Sequence, residues 1–99
     1  MDDGHAVHYT ALELGIPVIS SDGEEVGEVA EVLDNFREHI FDGLVIKTTA
    51  GELKFVDAPE VARTAERAVT LTITAAETAD LGPPPAPEKP LRRLFGRSG

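Results

Sequence analysis

The residues best suited to chemistry in this chain lie near its far end. Leu91, Leu94 and Phe95 fall at i, i+3 and i+4, one face of a helical turn, and Arg92, Arg93 and Arg97 stand beside them. Apolar anchors at that spacing are how a short helix docks in an apolar groove of a partner protein. The same arginines suit weak attachment to an anionic membrane, at about 1 kcal/mol per basic residue near the surface. An inert end is the simplest alternative. Three large apolar side chains beside a stiff proline-rich spacer argue for docking.

The remaining reactive residue types give weaker patterns. His5 and His8 lie near Asp2 and Asp3, a set that suits a metal ion only if the segment is held rigid, because metal sites need fixed ligands. A solvated end is the simpler reading. His39 stands alone. Glu24, Glu25, Glu28 and Glu31 form an acidic stripe without calcium-loop spacing. It reads as a solvated face, or as a docking surface for a basic partner, this chain's own tail included. Ser20 and Ser21 precede a turn and do not sit in a Gly-x-Ser-x-Gly elbow. The glycines are too dispersed for a phosphate loop or dinucleotide fingerprint. These residues lead to the expectation of a non-enzymatic protein with no cofactor and no metal.

Charge sorts the possible partners. The 99 residues carry a net charge of −9, which argues against a nucleic-acid binder, since such a domain shows a basic footprint. The charge is unevenly placed: residues 1–81 hold 17 acidic and five basic side chains, whereas residues 82–99 hold four basic and one acidic. Asymmetry of this kind points to a functional tail. With no cysteine, disulfides, thiolate metal sites and cysteine nucleophiles are excluded. No apolar run approaches the ~20 residues that span a bilayer, and the first residues are acidic where a signal peptide is basic. The expected location is the cytoplasm.

The elements that position these residues follow from periodicity. Residues 1–13 show no sustained period and read as a flexible arm. Residues 15–20 make a short strand, with Ile16 and Val18 on one face and Pro17 confined to an edge or the strand start. Gly23 turns the chain. Residues 26–34 are ambiguous. Val26, Val29, Ala30 and Leu33 fall at helical spacing, which slightly favours a helix. Gly27 and the density of Val favour a long strand whose bulge breaks the alternation.

Farther along, residues 40–47 are apolar on both faces (Leu44, Val45, Ile46) and so suit a central strand. Residues 52–56 form the next strand, with Leu53 and Phe55 pointing in. Pro59 breaks the chain near a single helical turn. Val69, Leu71 and Ile73 then alternate with Thr70, Thr72 and Thr74 in the clearest strand, after which Thr74 caps a short helix over 75–81 with Glu77 in its first turn. Pro83, Pro84, Pro85, Ala86 and Pro87 suit a polyproline II spacer.

In order, Gly15-Ile16-Pro17-Val18, Asp22-Gly23, Val26-Gly27-Glu28-Val29 and Val32-Leu33-Asp34 resemble the opening of a PRC-barrel domain. Leu44-Val45-Ile46, the segment Asp57 to Val61 and Val69-Thr70-Leu71 fit the rest of that pattern, so the resemblance covers about residues 14–81. Glu31 stands where the family commonly has Asp, and the aromatic often found after the proline is missing. The resemblance decides residues 26–34 in favour of a strand. It implies an all-β fold, a small PRC-type β-barrel of five or six short strands with a short terminal helical turn. Such barrels occur in the cytoplasmic domain of the photosynthetic reaction centre H subunit and in a ribosome maturation factor.

The implied organisation is an arm over 1–13, a barrel over 14–81, and a spacer with a basic-hydrophobic tail over 82–99. The implied function is that of a protein-binding or adaptor module using its barrel surface and residues Leu91 to Arg97. A membrane-peripheral protein held by its basic tail is the alternative. Open strand edges also suit pairing with a second copy.

Overall fold

The computed structural model of the chain describes residues 3–35 and 40–85. Six strands make one sheet: β1 (Pro17–Ile19), β2 (Glu25–Asn35), β3 (Ile40–Thr48), β4 (Leu53–Asp57), β5 (Val61–Thr64) and β6 (Val69–Leu71). Their spatial order is β4-β3-β2-β1-β6-β5, antiparallel throughout except for the parallel pair β1 and β6. The sheet curls into a half-barrel, a small all-β fold. Its concave face holds the core of Val18, Val29, Leu44, Ile46, Val56, Val69 and Leu71.

The ambiguous segment is a strand, and its bulges explain why it imitates a helix. Against β3, Val29 pairs with Ile46 and Val32 with Leu44, while the register skips Ala30. Against β1, Gly27 pairs with Val18 and Glu25 with Ile19, so the register skips Val26. Each extra residue lengthens the local repeat from two to three. Val26, Val29 and Val32 therefore all pack on the concave core, at a spacing that a flat strand does not allow.

At Gly27 the neighbouring backbone comes very close. A Cβ there would meet the Lys47 carbonyl oxygen at 2.3 Å and the Thr48 Cα at 3.0 Å. Only glycine lets β2 and β3 approach this closely.

On β4 the expected inward face is reversed. Val56 is fully buried opposite Leu44, and Lys54 pairs with Ile46 on the same side, while Leu53 is 49% exposed. Phe55 lies on the convex side, its ring against Gly43, where a Cβ would stand 2.9 Å from it. Residue type misleads here because Lys54 lays its long stem along the core side and turns its ammonium to backbone carbonyls, as amphipathic side chains do. Those carbonyls belong to Ala79, at 3.1 Å, and Leu81, at 2.9 Å.

The helix α1 (Ala75–Ala79) is capped as expected: the Thr74 hydroxyl accepts the Glu77 N–H, and the Glu77 carboxylate accepts the Thr74 N–H. It ends two residues sooner than its sequence suggests, at the carbonyls that Lys54 holds. The single turn expected near Pro59 is a 3-10 turn over Ala58–Glu60, with Pro59 inside it.

The first residues depart from the expected flexible arm. From Asp3 onward they are tied to β5 and the turn after it. The Val7 N–H donates to the Thr64 carbonyl, the Glu66 N–H to the His5 carbonyl, and Ala6 bridges Ala65. Arg63 Nε reaches Asp3 at 2.7 Å. At the opposite end of the sheet the Phe55 N–H donates to the Gly82 carbonyl at 3.0 Å. Both outer strands thus have part of their hydrogen-bonding edge covered by the chain's own segments, a device that discourages pairing with another molecule.

Candidate functional site

A groove of about 390 Å³ opens where residues 9–14 cross the far half of β2. Tyr9, Leu12, Leu14 and Val32 give it an apolar floor, and Glu31 and Asp34 stand on its rim. The bulge at Ala30 sets this geometry. It lets Val32 follow Val29 onto the concave side while Glu31, opposite Val45, stays outside. Tyr9 is fixed by stacking on Phe41, with ring centroids 4.8 Å apart. Leu12 and Val32 of the floor, and Phe41 beneath Tyr9, all pack on the core. The 3-10 turn over Tyr9–Ala11 is started by His8, whose Nδ1 accepts the Thr10 N–H at 3.3 Å. Leu14 is 65% exposed, more than the other exposed large apolar side chains among the described residues, Ile40 and Leu53. Among the described residues no basic side chain lines the groove. Its chemistry suits a segment that brings apolar anchors flanked by positive charge.

A second groove, of about 260 Å³, lies between the hairpin turns and α1. Glu24, Glu25 and Glu52 meet Thr48, Thr49 and Thr78 there. Lys54 also lines it, but its ammonium is committed to the Ala79 and Leu81 carbonyls and lies 3.8 Å from Glu52. Its apolar lining consists of smaller side chains, Val26, Ala50, Ala75 and Ala79.

The other sequence candidates are dispersed. The acidic stripe splits: Glu24 and Glu25 line the second groove, Glu28 faces Lys47 across the strands, and Glu31 rims the first groove. Ser20 is buried and used structurally. Its hydroxyl donates to Asp22 and accepts the Glu24 N–H at 3.1 Å. That hydrogen bond, helped by the Ala75 N–H at 3.1 Å, holds the Asp22 carboxyl below its ordinary range and ties the β1–β2 turn to α1.

His5 and His8 do not assemble a site with Asp3, because Asp3 is held by Arg63, which lowers its pKa in turn. Among the described residues no three His, Cys, Asp or Glu side chains converge as a metal site would require, and no helix is long and apolar enough to cross a membrane. The docking residues read from the sequence, Leu91, Arg92, Arg93, Leu94, Phe95 and Arg97, lie outside the described residues, as do Asp2 and His39.

The sequence reading missed the groove because its parts are distant along the chain. Leu12 falls in the aperiodic segment 1–13 and Leu14 just ahead of the strand over 15–20, and nothing in their local pattern connects them to Val32. No protein-family model matches the chain, and no curated protein matches it at a significant level.

Proposed function

We propose that this protein is a non-enzymatic protein-binding module of the PRC-barrel type, and that the groove over Tyr9, Leu12, Leu14 and Val32 is its peptide-binding surface. The observation that carries the reading is the pairing of an apolar floor with the carboxylates Glu31 and Asp34, with no lining cation among the described residues. A partner segment with two apolar anchors about one helical turn apart would fill the floor. Its flanking Lys or Arg would meet the rim, and such exposed pairs add orientation and on-rate more than affinity. The curled all-β sheet supports the PRC-barrel resemblance. The acidic surface of the barrel would repel anionic lipid, so membrane attachment would rest on the tail alone.

The test is selection from a displayed library of random 12-residue peptides. The bait is the full-length chain carrying Leu91→Ser, Leu94→Ser and Phe95→Ser, so that its own apolar tail residues do not compete. Enriched peptides should share paired Leu or Phe with adjacent Arg or Lys. They should lose binding at least tenfold to the same bait with Leu14→Asp and Glu31→Lys. Failure to enrich any such class, or binding indifferent to those two changes, would remove the reading.

A further inference from the structure

The groove asks for apolar anchors beside positive charge, and the same chain supplies such a segment. Leu91, Leu94 and Phe95 fall at i, i+3 and i+4 in the sequence, flanked by Arg92, Arg93 and Arg97. We infer that residues Leu91 to Arg97 occupy the Tyr9–Leu12–Leu14–Val32 groove of their own chain, so that the tail acts as an intramolecular competitor for partner peptides. The inference rests on the groove being a peptide site.

Reach permits it. The Phe55 N–H holds the Gly82 carbonyl beside β4, and Phe55, Val45 and Glu31 are register partners across β4, β3 and β2. Gly82 thus stands three strand spacings from Glu31, roughly 15 Å at ~4.8 Å each. The nine residues from Gly82 to Leu91 would span at most about 28 Å at ~3.1 Å per residue were they polyproline II. That leaves roughly 13 Å for the path around the sheet to its concave mouth. A spacer shorter by half would not reach.

Charge favours the same pairing. Residues 82–99 carry four basic side chains and one acidic, against 17 acidic and five basic in residues 1–81. Three cations of the barrel are engaged elsewhere. Arg63 is bound to Asp3, Lys54 to carbonyls beyond β4, and Lys47 faces Glu28. Tethering replaces a bimolecular encounter by an effective concentration in the millimolar range for a short linker. A weak contact, with a dissociation constant of about 100 μM as a free peptide, would then be about nine-tenths formed in cis. An external peptide would have to compete with it.

The chain has no cysteine, so a single Ser98→Cys gives one attachment point for a nitroxide label on the full-length protein. With the tail in the groove, the label should broaden the amide signals of Leu12, Leu14, Glu31 and Val32 well beyond those of Val61 to Thr64 on β5. The broadening should be independent of protein concentration, should fall severalfold with Leu94→Ser and Phe95→Ser, and should fall partly on raising the salt to about 0.5 M. Equal broadening over the whole barrel, or groove broadening unaffected by Leu94→Ser and Phe95→Ser, would overturn the inference. Groove broadening seen only between a labelled and a separate isotope-enriched molecule would assign the groove to a second copy and overturn it as well. Peptide selection by the groove together with an unbroadened groove in the labelled chain would leave the binding function standing and refute the tail as its occupant.

Discussion

Replacing Gly27 by alanine tests the closest contact in the sheet. In a generic strand the change stabilises, because alanine loses less backbone freedom on folding, by about 0.4–1 kcal/mol. Here the new Cβ would stand 2.3 Å from the Lys47 carbonyl oxygen and 3.0 Å from the Lys47 carbonyl carbon and the Thr48 Cα. All three are backbone atoms and cannot rotate away. An ordinary carbon–oxygen contact needs about 3.3 Å, so β2 and β3 must part locally by about 1 Å. Overpacking of this kind costs about 1–3 kcal/mol, and loosening one or two ladder hydrogen bonds adds about 0.5–1.5 kcal/mol each. After the entropic gain, the net destabilisation should be about 2–3 kcal/mol.

With a urea slope of about 1–1.5 kcal/mol/M for a domain this small, the midpoint should fall by roughly 2 M. Gly82→Ala is the control, since nothing lies within 4 Å of its Cβ position; its midpoint should stay level or rise slightly. A Gly27→Ala midpoint equal to that of Gly82→Ala would refute the close approach of β2 to β3, and with it the register on which the bulge argument depends.

Two further outcomes follow from the packing and the turn chemistry. Val56→Ala should cost about 2 kcal/mol, from two buried methyl groups at ~0.8 kcal/mol each plus a cavity contribution, whereas Leu53→Ala should stay within about 0.5 kcal/mol as an exposed change; reversed midpoints in urea would restore Leu53 to the core. The Asp22 carboxyl titrates below its unfolded value of 3.8 because Ser20 and Ala75 donate to its ionised form. Its stabilising contribution is therefore present above 3.8 and is lost as the pH falls through the lower folded value. The stability gap between the natural protein and Asp22→Asn should be full at about pH 6 and should close below 3.8; a gap of the same size across that range would mean that ionisation of Asp22 plays no part.

Where the sequence was legible, one residue type met one periodicity. Val69 and Leu71 alternate with Thr70 and do face the core, although the strand stops at Leu71, short of the expected Thr74, and Ile73 packs on the core from the bend beyond it. Thr74 and Glu77 form the reciprocal cap that their spacing announces. Leu44, Val45 and Ile46 do sit in an inner strand, flanked by β2 and β4. Legibility fell where backbone irregularity or a bifunctional side chain intervened. The bulges at Val26 and Ala30 convert a period of two into a period of three, and from the residues alone that pattern leans towards a helix. Lys54 hides an inward position behind a charged label, so Leu53 and Phe55 were given the wrong face. The strand β5 was not foreseen, because Val61-Ala62-Arg63-Thr64 is short, and two of its four residues are exposed.

The groove was illegible for a different reason, and that reason bears on how its function arises. Residues 3–12 have too little periodicity to declare a strand or a helix, yet they are held by partners sixty positions away: Asp3 by Arg63, Val7 by Thr64. Only when the sheet has formed does this segment have a place to lie, and only then do Leu12 and Leu14 come beside Val32. The same segment therefore covers part of the β5 edge and supplies Tyr9 and Leu12 to the floor of the groove. Arg63→Ala removes the ion pair to Asp3 at the start of this segment and changes no residue of the groove itself. Loss of peptide binding in that variant with the urea midpoint nearly unchanged would show that Tyr9 and Leu12 are positioned from the edge, whereas unchanged binding would mean that the stack of Tyr9 on Phe41 holds them alone.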